Sequence, residues 1–197
     1  MSEAGAQSNS AAAEPELGPV IYDSERIAAR VRELGAQIDV DYAGRVPMLV
    51  TVLTGATMFA ADLTRAMSLQ HEMDFLAVSA YGSAVPGDSA RVLKDLQVPV
   101  TNRDVILVED VVDTGLTLSF ILRFLESHVP ASLEVCTLLD RPQRRLVERT
   151  IKYRGFTVPD RFLVGYGFDH RQKYRNLPDL HELMLTAEDR ERLLSGS

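Results

Sequence analysis

The stretch VILVEDVVDTGLTL, residues 105–118, passes from an apolar segment through two adjacent carboxylates into a glycine-containing turn. Residues 105–108 are continuously apolar and mostly β-branched, the composition of a strand buried on both faces of a parallel sheet. Glu109 and Asp110 are expected to end that strand. Two carboxylates directly after a buried strand are costly unless they meet water, a metal or hydroxyl groups, which sends them to the carboxyl edge of the sheet, where open α/β sheets bind ligands. Asp113, Thr114, Gly115, Leu116 and Thr117 follow as a small, hydroxyl-bearing turn. Beyond it Leu118, Ile121, Leu122 and Leu125 recur at helical spacing, so a helix starts at the turn. Its first amides lack intrahelical partners and, with the threonine hydroxyls, can wrap a phosphate. A phosphate nest beside paired acids fits a phosphorylated sugar, with Glu109 and Asp110 accepting hydrogen bonds from two neighbouring ribose hydroxyls. An ordinary strand, turn and helix with a solvated acidic corner is the other reading of such a pair.

The stretch closely resembles the phosphoribosyl-diphosphate (PRPP) signature of the type I phosphoribosyltransferases. The chain around it, from about residue 20 to residue 178, resembles the hypoxanthine-guanine phosphoribosyltransferases. That resemblance implies a type I phosphoribosyltransferase fold: an α/β domain with a mainly parallel central sheet flanked by helices, and a small hood formed by both termini. It implies transfer of the phosphoribosyl group of PRPP to a 6-oxopurine, with Mg²⁺ neutralising the leaving pyrophosphate. In this correspondence Asp113 is the catalytic proton acceptor at purine N7, or otherwise only a helix cap. Residues 109–110 and 113–117 hold the ribose and 5′-phosphate. Thr54, Gly55, Tyr81 and Arg175 hold pyrophosphate. Arg141, Phe162, Leu163 and Asp169 hold the purine, and Glu109, Asp110 and Asp169 contact the metal. The sequence departs from the family at three of these places: Thr54 and Arg141 stand where lysine is usual, and Ala80 stands where a serine precedes Tyr81.

The rest of the chain supports one domain. Residues 1–18, rich in Ala, Ser, Glu and Pro and without Lys or Arg, read as a disordered tail, leaving 19–197 as the domain. No apolar run approaches the roughly 20 residues that span a bilayer. The net charge of −7 argues against nonspecific nucleic-acid binding. Cys136 is the single cysteine, in a strand-like LEVCTLL, which favours a buried thiol and a cytoplasmic setting. Asp23 or Ser24 can cap a helix whose stripe is Ile27, Val31, Leu34 and Ile38 and whose end lies near Gly44. Strands are expected at 46–53, 73–80 and 132–140, a helix over 55–67 with Phe59, Leu63 and Met67 inward, and an extended segment at 91–100. Residues 81–89 are either an idle hairpin tip or, as the resemblance implies, a lid over pyrophosphate. Arg141 alone reads as a solvated charge offsetting Asp140, Phe162 as a core aromatic, and His170 as structural or solvated. Thr186 with Glu188 and Asp189 can start a short final helix.

Two alternatives to the enzyme remain open at this level: a non-catalytic PRPP or nucleotide sensor, and a phosphoribosyltransferase for another base such as xanthine. The resembling family adds the expectation of a homodimer or homotetramer.

Overall fold

The computed structural model describes residues 15–79 and 90–189. The expected lid with Ala80 and Tyr81, and most of the expected tail, lie outside the described residues.

Runs of β-branched and aliphatic residues build the central sheet, because strands covered on both faces need no polar alternation. In chain order the elements are β1 (Glu16–Tyr22), α1 (Ser24–Asp41), β2 (Met48–Leu53), α2 (Thr57–Ala66), β3 (Glu72–Val78) and β4 (Val92–Lys94). There follow β5 (Asp104–Val112), α3 (Leu116–Glu126), β6 (Ser132–Asp140), β7 (Tyr153–Thr157), β8 (Leu163–Val164) and β9 (Leu180–Met184). The large sheet has the order β4-β3-β2-β5-β6-β7. All its pairs are parallel except β3 with β4. Strand alternation divides the core. Leu49, Ile106, Val108, Cys136 and Leu138 face α1 and α2, while Met48, Val50, Val105, Leu107 and Val135 face α3. The α1 stripe is buried as its spacing requires, and Asp23 caps the helix by accepting from Arg26 N at 2.8 Å. On α3, Leu118, Ile121, Leu122 and Leu125 are all buried, each contributing about 2 kcal/mol of apolar burial.

A second, antiparallel sheet of order β1-β9-β8 joins the two ends of the described chain, the hood that the resemblance implied. It corrects the expected tail boundary: Glu16, Leu17 and Gly18 belong to β1, whose pairing with β9 supplies the backbone partners that composition could not reveal. Other boundaries move as well, β3 to Glu72–Val78 and α2 to Thr57–Ala66 among them. Helix α1 stops at Asp41, three residues before Gly44, where Tyr42 turns into the core. The first strand of the large sheet starts at Met48, two residues inside its expected range. Of residues 91–100 only Val92–Lys94 is strand, since the buried Asp74 carboxylate accepts from Gln97 N (2.6 Å) and Val98 N (2.9 Å) and bends the chain away. And β5 does not end at Glu109: it runs on to Val112, with Val111 and Val112 in register with Leu139 and Asp140. Among the described residues no helix is long and apolar enough to cross a membrane.

Candidate active site

The sheet continues from β2 toward β3 in one direction and from β5 toward β6 in the other, so a crevice opens between the carboxyl ends of β2 and β5. A cleft of about 380 Å³ lies there, bordered by Glu109, Asp110, Asp113, Thr114, Gly115 and Thr117.

Because β5 continues through the acid pair, its two carboxylates diverge. The alternation that carries Val105 and Leu107 toward α3 carries Glu109 the same way, and Asp110 turns toward the joint after β2. There a Cβ built on Gly55 would lie 1.6 Å from Asp110 Oδ2, so a side chain at that position would require the Asp110 carboxylate to shift. The Leu53–Thr54 peptide is cis. Thr54 itself is exposed, and its carbonyl accepts from Thr57 Oγ1 at 2.7 Å. Burial pushes the Asp110 carboxyl up to about 6; backbone donors and Arg175 oppose the rise and Asp169 adds to it. Burial, and then the charge of Asp110, raise Glu109 well above the usual carboxylate range.

The turn after β5 is clamped from its carbonyl side by the segment that follows β6. Thr114 O accepts from Leu146 N (2.9 Å) and Val147 N (3.0 Å), and Asp113 O from Arg145 Nε (2.9 Å). Arg145 is buried in an ion pair with Asp140, which also takes Arg154 Nε at 2.8 Å. The expected offset of Asp140 by Arg141 is therefore corrected: Arg145 and Arg154 supply the countercharge. Gly115 adopts φ +83°, and a Cβ on it would lie 2.3 Å from Val147 O. Helix α3 begins at Leu116, so Leu116 and Thr117, expected in the turn, form its first turn, and of the two Thr117 borders the cleft.

The Asp113 side chain extends from this turn. Its Oδ2 lies 3.1 Å from Arg144 Nη1 and 3.8 Å from Arg141 Nη1, while Oδ1 is buried without a hydrogen-bond partner among the described residues. Arg141 is buried, not solvated. Its Nη2 donates to Arg161 O at 2.7 Å, and its Nε is likewise buried and unpartnered among the described residues. That tether joins Arg141 to the residue before Phe162. Phe162 does not border the main cleft; it lines a separate hollow of about 200 Å³ with Arg161 and Glu182, its ring edge-on to His170 at 5.6 Å. Leu163 is buried in the hood, paired with Glu182.

Asp169 and Arg175 come together within one turn. Arg175 Nη2 lies 2.7 Å from Asp169 Oδ1, and Arg175 Nη1 donates to Gly167 O at 2.7 Å. Both charges act on Asp110. His170 lies 3.2 Å from Asp189 and has a packing role, while Thr186 and Asp189 form the reciprocal cap expected of a short final helix.

Among the described residues no three acidic, histidine or cysteine side chains are grouped to hold a metal by themselves. Asp110, raised by burial and by Asp169 across from it, has the character of a carboxylate that a cation would relieve. One or two carboxylates plus substrate phosphates is how Mg²⁺ is commonly bound. Sequence reading missed Arg144 and Arg145. The signal was the run of basic residues in DRPQRR just after the buried strand end, but nothing in sequence says how far those side chains reach back.

The family described as phosphoribosyl transferase domain matches residues 20–171. The chain is 42% identical over 172 residues to a hypoxanthine phosphoribosyltransferase of Escherichia coli (strain K12), covering 86% of this chain and 97% of that protein. It is 45% identical over 169 residues to a hypoxanthine-guanine phosphoribosyltransferase of Mycobacterium tuberculosis (strain ATCC 25618 / H37Rv), covering 82% and 84%. A crystal structure of a hypoxanthine-guanine phosphoribosyltransferase from Bacillus anthracis, with a HEPES molecule in its active site, superposes with a TM-score of 0.82 at 39% identity. That alignment covers 87% of this chain and all of the other.

Proposed function

The chain belongs to the phosphoribosyltransferase family, and on that premise we propose that it transfers the 5-phosphoribosyl group of PRPP to hypoxanthine or guanine, giving IMP or GMP and pyrophosphate. The observation that carries the choice of base is the pairing of Asp113 with Arg141. Each has a buried polar atom without a partner among the described residues, Oδ1 on the acid and Nε on the guanidinium, and the two side chains approach to 3.8 Å. An acceptor beside a donor matches the N7–H and O6 edge of a 6-oxopurine, whereas the 6-amino group of adenine would confront a donor-only guanidinium.

In the reaction the bond from ribose C1 to the pyrophosphate oxygen breaks, its electron pair leaving with pyrophosphate. The bond from N9 to C1 forms, and the N7 proton passes to Asp113. Glu109 and Asp110 hold the ribose hydroxyls, replacing the hydration that burial denies them. The turn at 113–115 and the first turn of α3 take the 5′-phosphate. The joint at Thr54 and Gly55, with Arg175, takes pyrophosphate. Asp110 and Asp169 would hold Mg²⁺, which when bound neutralises charge on the leaving group. The same reading carries a cytoplasmic homodimer or homotetramer, and sedimentation of the purified chain as a monomer would remove that part.

The test is incubation with PRPP, Mg²⁺ and each of hypoxanthine, guanine, xanthine and adenine while nucleotide formation is followed. A 6-oxopurine should be converted and adenine left. Adenine used as fast as hypoxanthine would contradict the role of Arg141, and no turnover with any base would leave only a sensor. Asp113→Asn should lower kcat by on the order of a hundredfold to ten thousandfold with little change in PRPP binding.

A further inference from the structure

Resting on the reading above, we propose that Arg144 is a positioning residue for Asp113: its guanidinium holds one carboxylate oxygen so that the other is presented to purine N7. An aspartate carboxylate swings about two side-chain torsions, the second broad, and it serves as a proton acceptor only when held at hydrogen-bond distance of the proton it takes. The turn at 113–115 supplies no such hold. Of Asp113, Arg145 contacts only the backbone carbonyl, and no hydrogen bond to the Asp113 side chain occurs among the described residues. The hold comes from Arg144, at 3.1 Å from Oδ2.

Arg144 is itself set in place. It closes the 3₁₀ turn Pro142–Arg144, where its N–H donates to Arg141 O at 3.2 Å, and its Nη1 lies 3.7 Å from Asp160 Oδ1 on the other side. Arg141 does not substitute for it, being farther from Oδ2 at 3.8 Å and tethered to Arg161 O. The remaining charges bordering the cleft nearby, Glu109 and Asp110, are acids and cannot pin a carboxylate. With Oδ2 committed to Arg144, the buried and unpartnered Oδ1 is the oxygen that receives the N7 proton as the N9 bond forms and pyrophosphate departs.

The experiment compares full-length wild type, Arg144→Gln, Arg144→Lys, Asp113→Asn and the double variant Arg144→Gln with Asp113→Asn. The quantities read are kcat and the two KM values for hypoxanthine and PRPP. Arg144→Gln should lose about tenfold in kcat with the PRPP KM nearly unchanged, lysine should recover most of that loss, and the double variant should be no slower than Asp113→Asn alone. The assignment is overturned by an Arg144→Gln kcat within twofold of wild type, by lysine doing no better than glutamine, or by losses that multiply in the double variant. Should wild type form no nucleotide, the catalytic reading fails, yet titration of the same proteins with IMP by calorimetry still decides the contact. A loss of IMP affinity in Arg144→Gln that vanishes in the Asp113→Asn background supports it. No loss, or equal losses in both backgrounds, overturns it.

Discussion

A methyl group on Gly55 would occupy the space that Asp110 Oδ2 already fills. The carboxylate extends from a paired strand beside the cleft, so it is the group that must shift. Gly55→Ala should therefore displace Asp110 and lower kcat/KM for PRPP about a hundredfold, the scale on which an ångström of misplacement acts. Initial rates at varied PRPP check this, and unchanged kinetics would show that the carboxylate need not stay where it is. One residue earlier the constraint is absent. Thr54 is exposed, so Thr54→Lys, restoring the residue usual in the resembling family, should fit without strain and place a cation by the pyrophosphate. The PRPP KM should fall several-fold at low salt. A KM that does not move would mean that the backbone of this joint already suffices.

Strand β3 is moored by a single buried acid. Asp74 accepts from Phe75 N (2.7 Å), Gln97 N (2.6 Å) and Val98 N (2.9 Å), and Lys94 Nζ lies 3.7 Å away. These donors fix the return from β4, whose three residues make the edge of the large sheet. In Asp74→Asn the amide keeps one acceptor but turns an NH₂ group on the remaining donors, a buried mismatch costing about 2 kcal/mol. Urea denaturation measures that difference, and a midpoint equal to wild type would show that the bend holds itself.

Over the whole molecule two sets of carboxylates pull stability in opposite directions with pH. Burial alone would raise Asp74, but the backbone donors outweigh it and hold the group below its ordinary value of 3.8; hydrogen bonds from Thr186 do the same for Asp189. Their contribution is complete above that ordinary value and is lost as the pH falls through their folded values. Asp110 is raised to about 6 and Glu109 also upward, so the folded state binds their protons more tightly than the unfolded chain does. Stability then declines as the pH rises from about 4 through 6. The ligand-free melting temperature should peak at about pH 4 to 5 and fall toward neutrality, with a shallower fall in Asp110→Asn. A melting temperature still climbing between pH 5 and 7 would refute the opposition. What the sequence made legible follows the same division between local and distant causes. The buried strands, the stripes of α1 and α3 and the turn after β5 are encoded by neighbouring residues, and the site motifs are contiguous. The continuation of β5 beyond its acids depends on β6, the bend after β4 on Asp74, the start of β1 on a partner more than a hundred and fifty residues away, and the reach of Arg144 on the path of a later turn. None of those partners is visible from the residue that needs it. The pairing of β1 with β9 also sets an order of assembly at the ribosome. Strand β1 waits, edge unpaired, until residues 180–184 have been made, so a nascent chain can complete the turn after β5 and its cleft before the hood exists.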